Sequence, residues 1–127
     1  MSSINTVNAI YTHIMRGRIP AMLDCLDPQI EWILAAGLPG GGTYRTRDAV
    51  QELFTGYANT WDDFRITPEE FFSSGHVVIV LGHYHGVNKQ TGKTVDARFA
   101  HVWRMRQGLA ERFETIADTH AIVQTLS

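Results

Sequence analysis

Between Thr94 and Arg106 apolar and polar residues alternate, so that Ala97, Phe99, His101, Trp103 and Met105 share one face of a strand and Asp96, Arg98, Arg104 and Arg106 the other. His101 is the one ionisable side chain on the aromatic face. An imidazole, with an ordinary pKa of about 6.5, exchanges protons near neutrality, and an apolar setting tunes that value, so His101 suits proton transfer. A core histidine satisfied by a backbone carbonyl fits the same pattern. The run His76 to Val87 alternates in the same way, with Val77, Ile79, Leu81, His83 and His85 on one side and Val78, Val80, Gly82 and Tyr84 on the other. Both sides are apolar enough to face a core. Asp118, just after the last alternating run, offers either a carboxylate for proton transfer or an N-cap for a helix opening at Thr119. Tyr44, which follows Gly40-Gly41-Gly42, is placed to present its hydroxyl at the mouth of a pocket, and Trp32, Phe99 and Trp103 are candidate walls for an apolar ligand.

The elements that must position these residues follow from hydrophobic period. Ile4, Val7, Ile10, Tyr11 and Ile14 recur at helical spacing, giving a helix over about Asn5 to Arg16 with Ser2, Ser3 or Asn5 as its cap and Gly17 as its stop. Ile19 to Leu26 makes a short second helix with Pro20 in its first turn, stopped by Asp27-Pro28. The β-branched and aromatic run Ile30 to Leu34 reads as a strand leading into a loop over Ala36 to Gly42. Val50, Leu53, Phe54 and Tyr57 define a third helix, Ala49 to Ala58, capped by Thr46 or Asp48. Four strands follow: Phe64 to Ser73, His76 to Val87, Thr94 to Arg106 and Leu109 to Ala117. Ser73-Ser74-Gly75, Asn88 to Lys93 and Arg106-Gln107-Gly108 connect them, so a meander of antiparallel neighbours is expected. A short helix ending near Leu126 completes an α+β chain in which helices cover one face of a twisted, strongly curved sheet, and the cleft between them is the expected pocket.

Composition removes several function classes. With 127 residues, a formal charge of -2 and no basic excess, the chain reads as one domain, residues 1 to 127, that does not bind nucleic acid. No apolar run approaches the ~20 residues of a membrane span, and no basic-then-apolar leader is visible at the start, so neither membrane nor export is expected. The lone Cys25 excludes an intrachain disulfide and suits a reducing cytoplasm. There is no nucleophile elbow, phosphate loop or dinucleotide fingerprint. What remains is cofactor-independent acid/base chemistry in an aromatic pocket.

Several segments resemble SnoaL-like and ketosteroid-isomerase-related proteins of the nuclear transport factor 2-like superfamily. They are Ile30-Glu31-Trp32, Leu38-Pro39 through Gly42-Thr43-Tyr44-Arg45, Glu70-Phe71-Phe72 with Gly75, Val77 to Gly82, Ala97 to Trp103, Arg112-Phe113-Glu114 and Asp118-Thr119. The resemblance covers nearly the whole chain. It implies a cone-shaped mixed or antiparallel sheet closed by three N-terminal helices, a deep pocket, and homodimers formed through the outer sheet face. It also places Asp118 near acidic residues that serve as bases in SnoaL-like cyclases. Matching the second long strand to limonene epoxide hydrolase puts His83 and His85 at that enzyme's paired arginine and aspartate, Thr115 at its remaining aspartate, and Trp32 and Leu34 at its tyrosine and asparagine. This match turns the histidine face of that strand inward. No carboxylate stands at these positions, so epoxide opening is disfavoured. The convergence of His83, His85 and His101 would suit zinc, but a histidine pair on a strand is a weak signal and the superfamily generally works without metal, so neither metal nor cofactor is expected.

The resulting expectation is an isomerase-, dehydratase- or cyclase-type enzyme for a small hydrophobic carbonyl compound. His101, Asp118 and His83 are its proton-transfer candidates, and Trp32, Tyr44, His85, Phe99, Trp103 and Thr115 its substrate contacts. A non-catalytic binder of hydrophobic molecules and a dimerising module stand as alternatives.

Overall fold

A computed structural model describes residues 2–127. Helix α1, Ser3–Met15, is capped by the Ser2 hydroxyl, which accepts from the Asn5 amide at 3.2 Å, and it buries Val7, Ile10 and Tyr11. Gly17, at φ 70°, turns the chain into α2, Ile19–Asp24. This helix stops short of the expected Leu26. Because a residue before proline favours extended backbone, Asp27-Pro28 does more than end a helix: it lies inside strand β1, Leu26–Leu34, at an irregularity in that strand's pairing. Strand β2, Gly42–Arg45, falls where the sequence suggests only loop, and pairs antiparallel with β1 through Trp32 and Tyr44. Helix α3, Arg47–Thr60, is capped by Thr46 and buries Val50 and Phe54.

The four long strands are β3, Trp61–Ser74, β4, Val77–Asn88, β5, Thr94–Arg106, and β6, Leu109–Ala117. They form the expected antiparallel meander. Strand β1 then adds to β6 in parallel, with Trp32 opposite Phe113, so the order across the sheet is β2-β1-β6-β5-β4-β3. The sheet is mixed, curved and open. A last helix, α4, Thr119–Val123, runs into a 3₁₀ turn at Gln124–Leu126.

The inner face of β5 is the one its alternation selects: Val95, Ala97, Phe99, His101, Trp103 and Met105 are all buried. With β4, β6, β1 and the three N-terminal helices it encloses a single core. The outer face carries exposed Phe72, Ile79 and Ile116. No helix among the described residues is long and apolar enough to cross a membrane.

Candidate functional site

Between the concave face of the sheet and the helices lies a cavity of about 200 Å³. Its wall is largely aromatic: Trp32 from β1, Phe54 and Tyr57 from α3, Phe64 from β3, Trp103 from β5 and Phe113 from β6. Trp32 packs against Phe113 at a ring separation of 4.0 Å and meets Trp103 edge-on at 5.7 Å. Ile122 from α4 and Leu126 from the 3₁₀ turn also border the cavity.

A line of polar atoms runs through this apolar surround. The Trp103 indole N–H donates to the Tyr11 hydroxyl at 2.9 Å, and that hydroxyl lies 2.7 Å from His101 Nδ1. The other ring nitrogen, Nε2, is 2.5 Å from the Tyr84 hydroxyl, which is 3.1 Å from Thr115 Oγ1. Register makes the arrangement: Thr115 of β6 stands directly opposite His101 of β5, and Phe99 stacks on the imidazole with centroids 3.8 Å apart. His101 is 2% exposed. Burial disfavours its charged form and lowers its pKa well below the ordinary value, while burial raises those of Tyr11 and Tyr84, so the site holds a neutral imidazole between protonated phenols.

This neutrality has a measurable sign. Unfolding returns His101 to a pKa of about 6.5, so as pH falls below that value the unfolded chain takes up a proton that the folded chain refuses. The contribution of His101 to stability is therefore complete above pH ~6.5 and declines by about 1.4 kcal/mol per pH unit below it. Denaturant titrations between pH 7 and 5 check this. A His101→Phe protein should lack the His101 part of the slope.

The SnoaL-like domain model matches residues 7–113. The chain belongs to this family. No curated protein matches it. Among solved structures, an NTF2-like protein from Burkholderia thailandensis is 33% identical, with a TM-score of 0.95 over 100% of this chain and 98% of that one. An NTF2-like protein of unknown function from Burkholderia pseudomallei is 29% identical, with a TM-score of 0.92 over 100% and 99% of the two chains. TerC, co-crystallised with polyporic acid, is 28% identical, with a TM-score of 0.88 over 97% and 96%.

In this SnoaL-like domain the expected convergence of three histidines does not occur. Strand β4 turns its other face inward: Val78, Val80 and Gly82 are buried and Tyr84 borders the cavity. His83 lies opposite Arg98 on the outer face, with Nδ1 2.5 Å from Glu69 Oε1. His85 reaches only the rim of the cavity, where Nδ1 meets Asp96 at 2.9 Å and Nε2 meets Asp63 at 3.2 Å. Asp118 is exposed, outside the cavity wall, and caps α4 by accepting from the Ala121 amide at 3.1 Å. The Tyr44 hydroxyl donates to the Gly40 carbonyl at 2.5 Å, away from the cavity, and Phe99 backs His101 instead of lining the wall. Trp32, Trp103 and Thr115 do border the cavity.

Two residues of the polar line, Tyr11 and Tyr84, are not among the residues that sequence reasoning nominates. The signal for Tyr84 lay in the hairpin: with Val87 opposite Thr94, register puts Tyr84 beside Ala97 on the aromatic face and His83 beside Arg98 on the charged one.

Proposed function

We propose that this SnoaL-like domain is a cofactor-independent acid/base enzyme acting on a small hydrophobic molecule with a carbonyl group, in a reaction of isomerase, dehydratase or cyclase type. The observation that carries the reading is the Tyr84 and Thr115 hydroxyl pair, backed by His101, at the wall of a largely aromatic and aliphatic cavity. An apolar body packs against Trp32, Trp103 and Phe113, and its oxygen is met by the Thr115 hydroxyl in an apolar setting, where hydrogen bonds to developing negative charge are strongest. His101 exchanges the proton behind them. The co-crystallisation of TerC with polyporic acid supports treating the cavity as a small-molecule site.

A non-catalytic binder is the second reading, and the burial of His101 favours it, because an imidazole that resists protonation is a poor acceptor of a substrate proton. A thermal-shift screen of ketones, enones and polyketide fragments addresses both. A ligand present at 100 times its Kd should add about 2.7 kcal/mol of stability. Turnover of a stabilising compound supports the enzyme, and stabilisation without turnover across the panel supports the binder. A panel with neither effect sinks both.

The proposed assembly is a homodimer in the cytoplasm, where the lone Cys25 stays reduced. Register aligns Phe72, Ile79 and Val102 in one row of the outer face and Leu81, Ala100 and Ile116 in the next, a contiguous apolar patch suited to a second copy. Ile116→Lys should convert a dimer into a monomer in sedimentation velocity. A monomeric parent protein would remove the assembly proposal.

A further inference from the structure

The direction of the hydrogen bonds through His101 follows from one residue that can only donate. Indole carries an N–H and no acceptor, so Trp103 Nε1, 2.9 Å from the Tyr11 oxygen, must give its proton to that oxygen. Tyr11 is 2% exposed, and its hydroxyl proton needs an acceptor of its own. Of its two partners only His101 Nδ1, at 2.7 Å, can accept. Nδ1 is therefore bare. Since burial keeps the imidazole neutral, its one proton sits on Nε2 and points to the Tyr84 oxygen, 2.5 Å away. Tyr84 then turns its own proton to Thr115 Oγ1 at 3.1 Å, and the Thr115 proton has no acceptor among the described residues. With the opposite polarity the unmatched proton would belong to Tyr11, between His101 and Trp103. With this polarity it belongs to Thr115, on the cavity wall.

We propose that Trp103 is a positioning residue that, through Tyr11, holds His101 in its Nε2–H tautomer and so orders the line as Trp103, Tyr11, His101, Tyr84, Thr115, each donating to the next and the last to the ligand. The consequence is a specificity: the cavity offers a donor at Thr115 and selects a molecule that presents a carbonyl-type acceptor there. A group that can only donate leaves the Thr115 proton unpaired, since it can use only the remaining lone pair of Oγ1. This rests on the proposed small-molecule function for the meaning of the outward donor. The tautomer itself is a property of the ligand-free protein.

The test is the long-range ¹H–¹⁵N spectrum of histidine-labelled, ligand-free protein. His101 is expected to show a protonated Nε2 and a bare Nδ1. A wild-type spectrum dominated by Nδ1–H, or by the imidazolium, overturns the proposal. Trp103→Phe keeps an aromatic ring and removes the donor, and the preference for Nε2–H should weaken by roughly tenfold, the factor a buried hydrogen bond carries. A folded Trp103→Phe protein with an unchanged tautomer ratio overturns the positioning role. Where that variant does not fold, Tyr11→Phe, which removes the hydroxyl donor to Nδ1, should weaken the same preference and is read in the same way. Failure to find any turned-over carbonyl compound would defeat the functional reading and leave these spectra as they are.

Discussion

A His101→Phe protein is expected to remain folded and to turn over a carbonyl substrate about 10²- to 10⁴-fold more slowly, the range associated with loss of a positioned acid/base group. Phenylalanine suits the space, which is bounded by Phe99 stacked at 3.8 Å and Phe113 edge-on at 4.7 Å. Both nitrogens are lost. Tyr11 keeps the Trp103 N–H as a partner and Tyr84 keeps Thr115, so the cost in stability is limited to hydrogen bonds unmade, about 1–3 kcal/mol. The loss should fall mainly on kcat, because the aromatic wall that holds the apolar part of the ligand is untouched. Steady-state kinetics beside a circular dichroism spectrum decide the matter. Equal kcat/KM in a folded variant removes His101 from the chemistry.

Gly82→Ala should have the larger effect on the fold. A β-carbon there would stand 2.6 Å from Phe99 Cζ and closer still to the Thr67 carbonyl oxygen of the neighbouring strand β3. Backbone cannot swing aside as a lysine tip would. The neighbouring strand or the Phe99 ring must move, and Phe99 is the ring that backs His101. Overpacking of this kind costs about 2–3 kcal/mol, a fall in Tm on the order of 10 °C for a chain of this size. Thermal denaturation measures it. An unchanged Tm would mean that the sheet has slack at this point.

How much of this was legible in the sequence varied with how strongly each segment is sided. The limits of β5 and β6 are legible to the residue, because the alternation of β5 sets an apolar side against a largely charged one and turns carrying Gly92 and Gly108 precede the two strands. The face of β4 was not legible from its own residues, since Val77, Ile79 and Leu81 look as suited to a core as Val78 and Val80 do. Only pairing with β5 breaks that tie, and pairing is a long-range property. Strand β2 is four residues at a sheet edge, mostly exposed, and leaves no periodic trace. In the site, His101, Trp32, Trp103 and Thr115 are legible from alternation or resemblance. Tyr11 was visible as a helix residue facing the core, but its contact with His101 spans most of the chain and has no local signature.

The parallel pairing of β1 with β6 also governs the order in which the molecule can be finished. Trp32 and Phe113 touch in the cavity wall, yet they belong to the first and last long-range partners of the sheet. On the ribosome, β1 has only the short β2 beside it until β6 has been made. Loop closure over such a distance is slow, and contacts of high sequence separation delay folding. Trp32 therefore lacks its Phe113 partner through this interval, and the cavity wall is complete only when β6 docks. Indole fluorescence during refolding follows the burial of Trp32 together with that of Trp61 and Trp103, and a molecule that fills the cavity and binds only the folded chain stabilises the completed sheet.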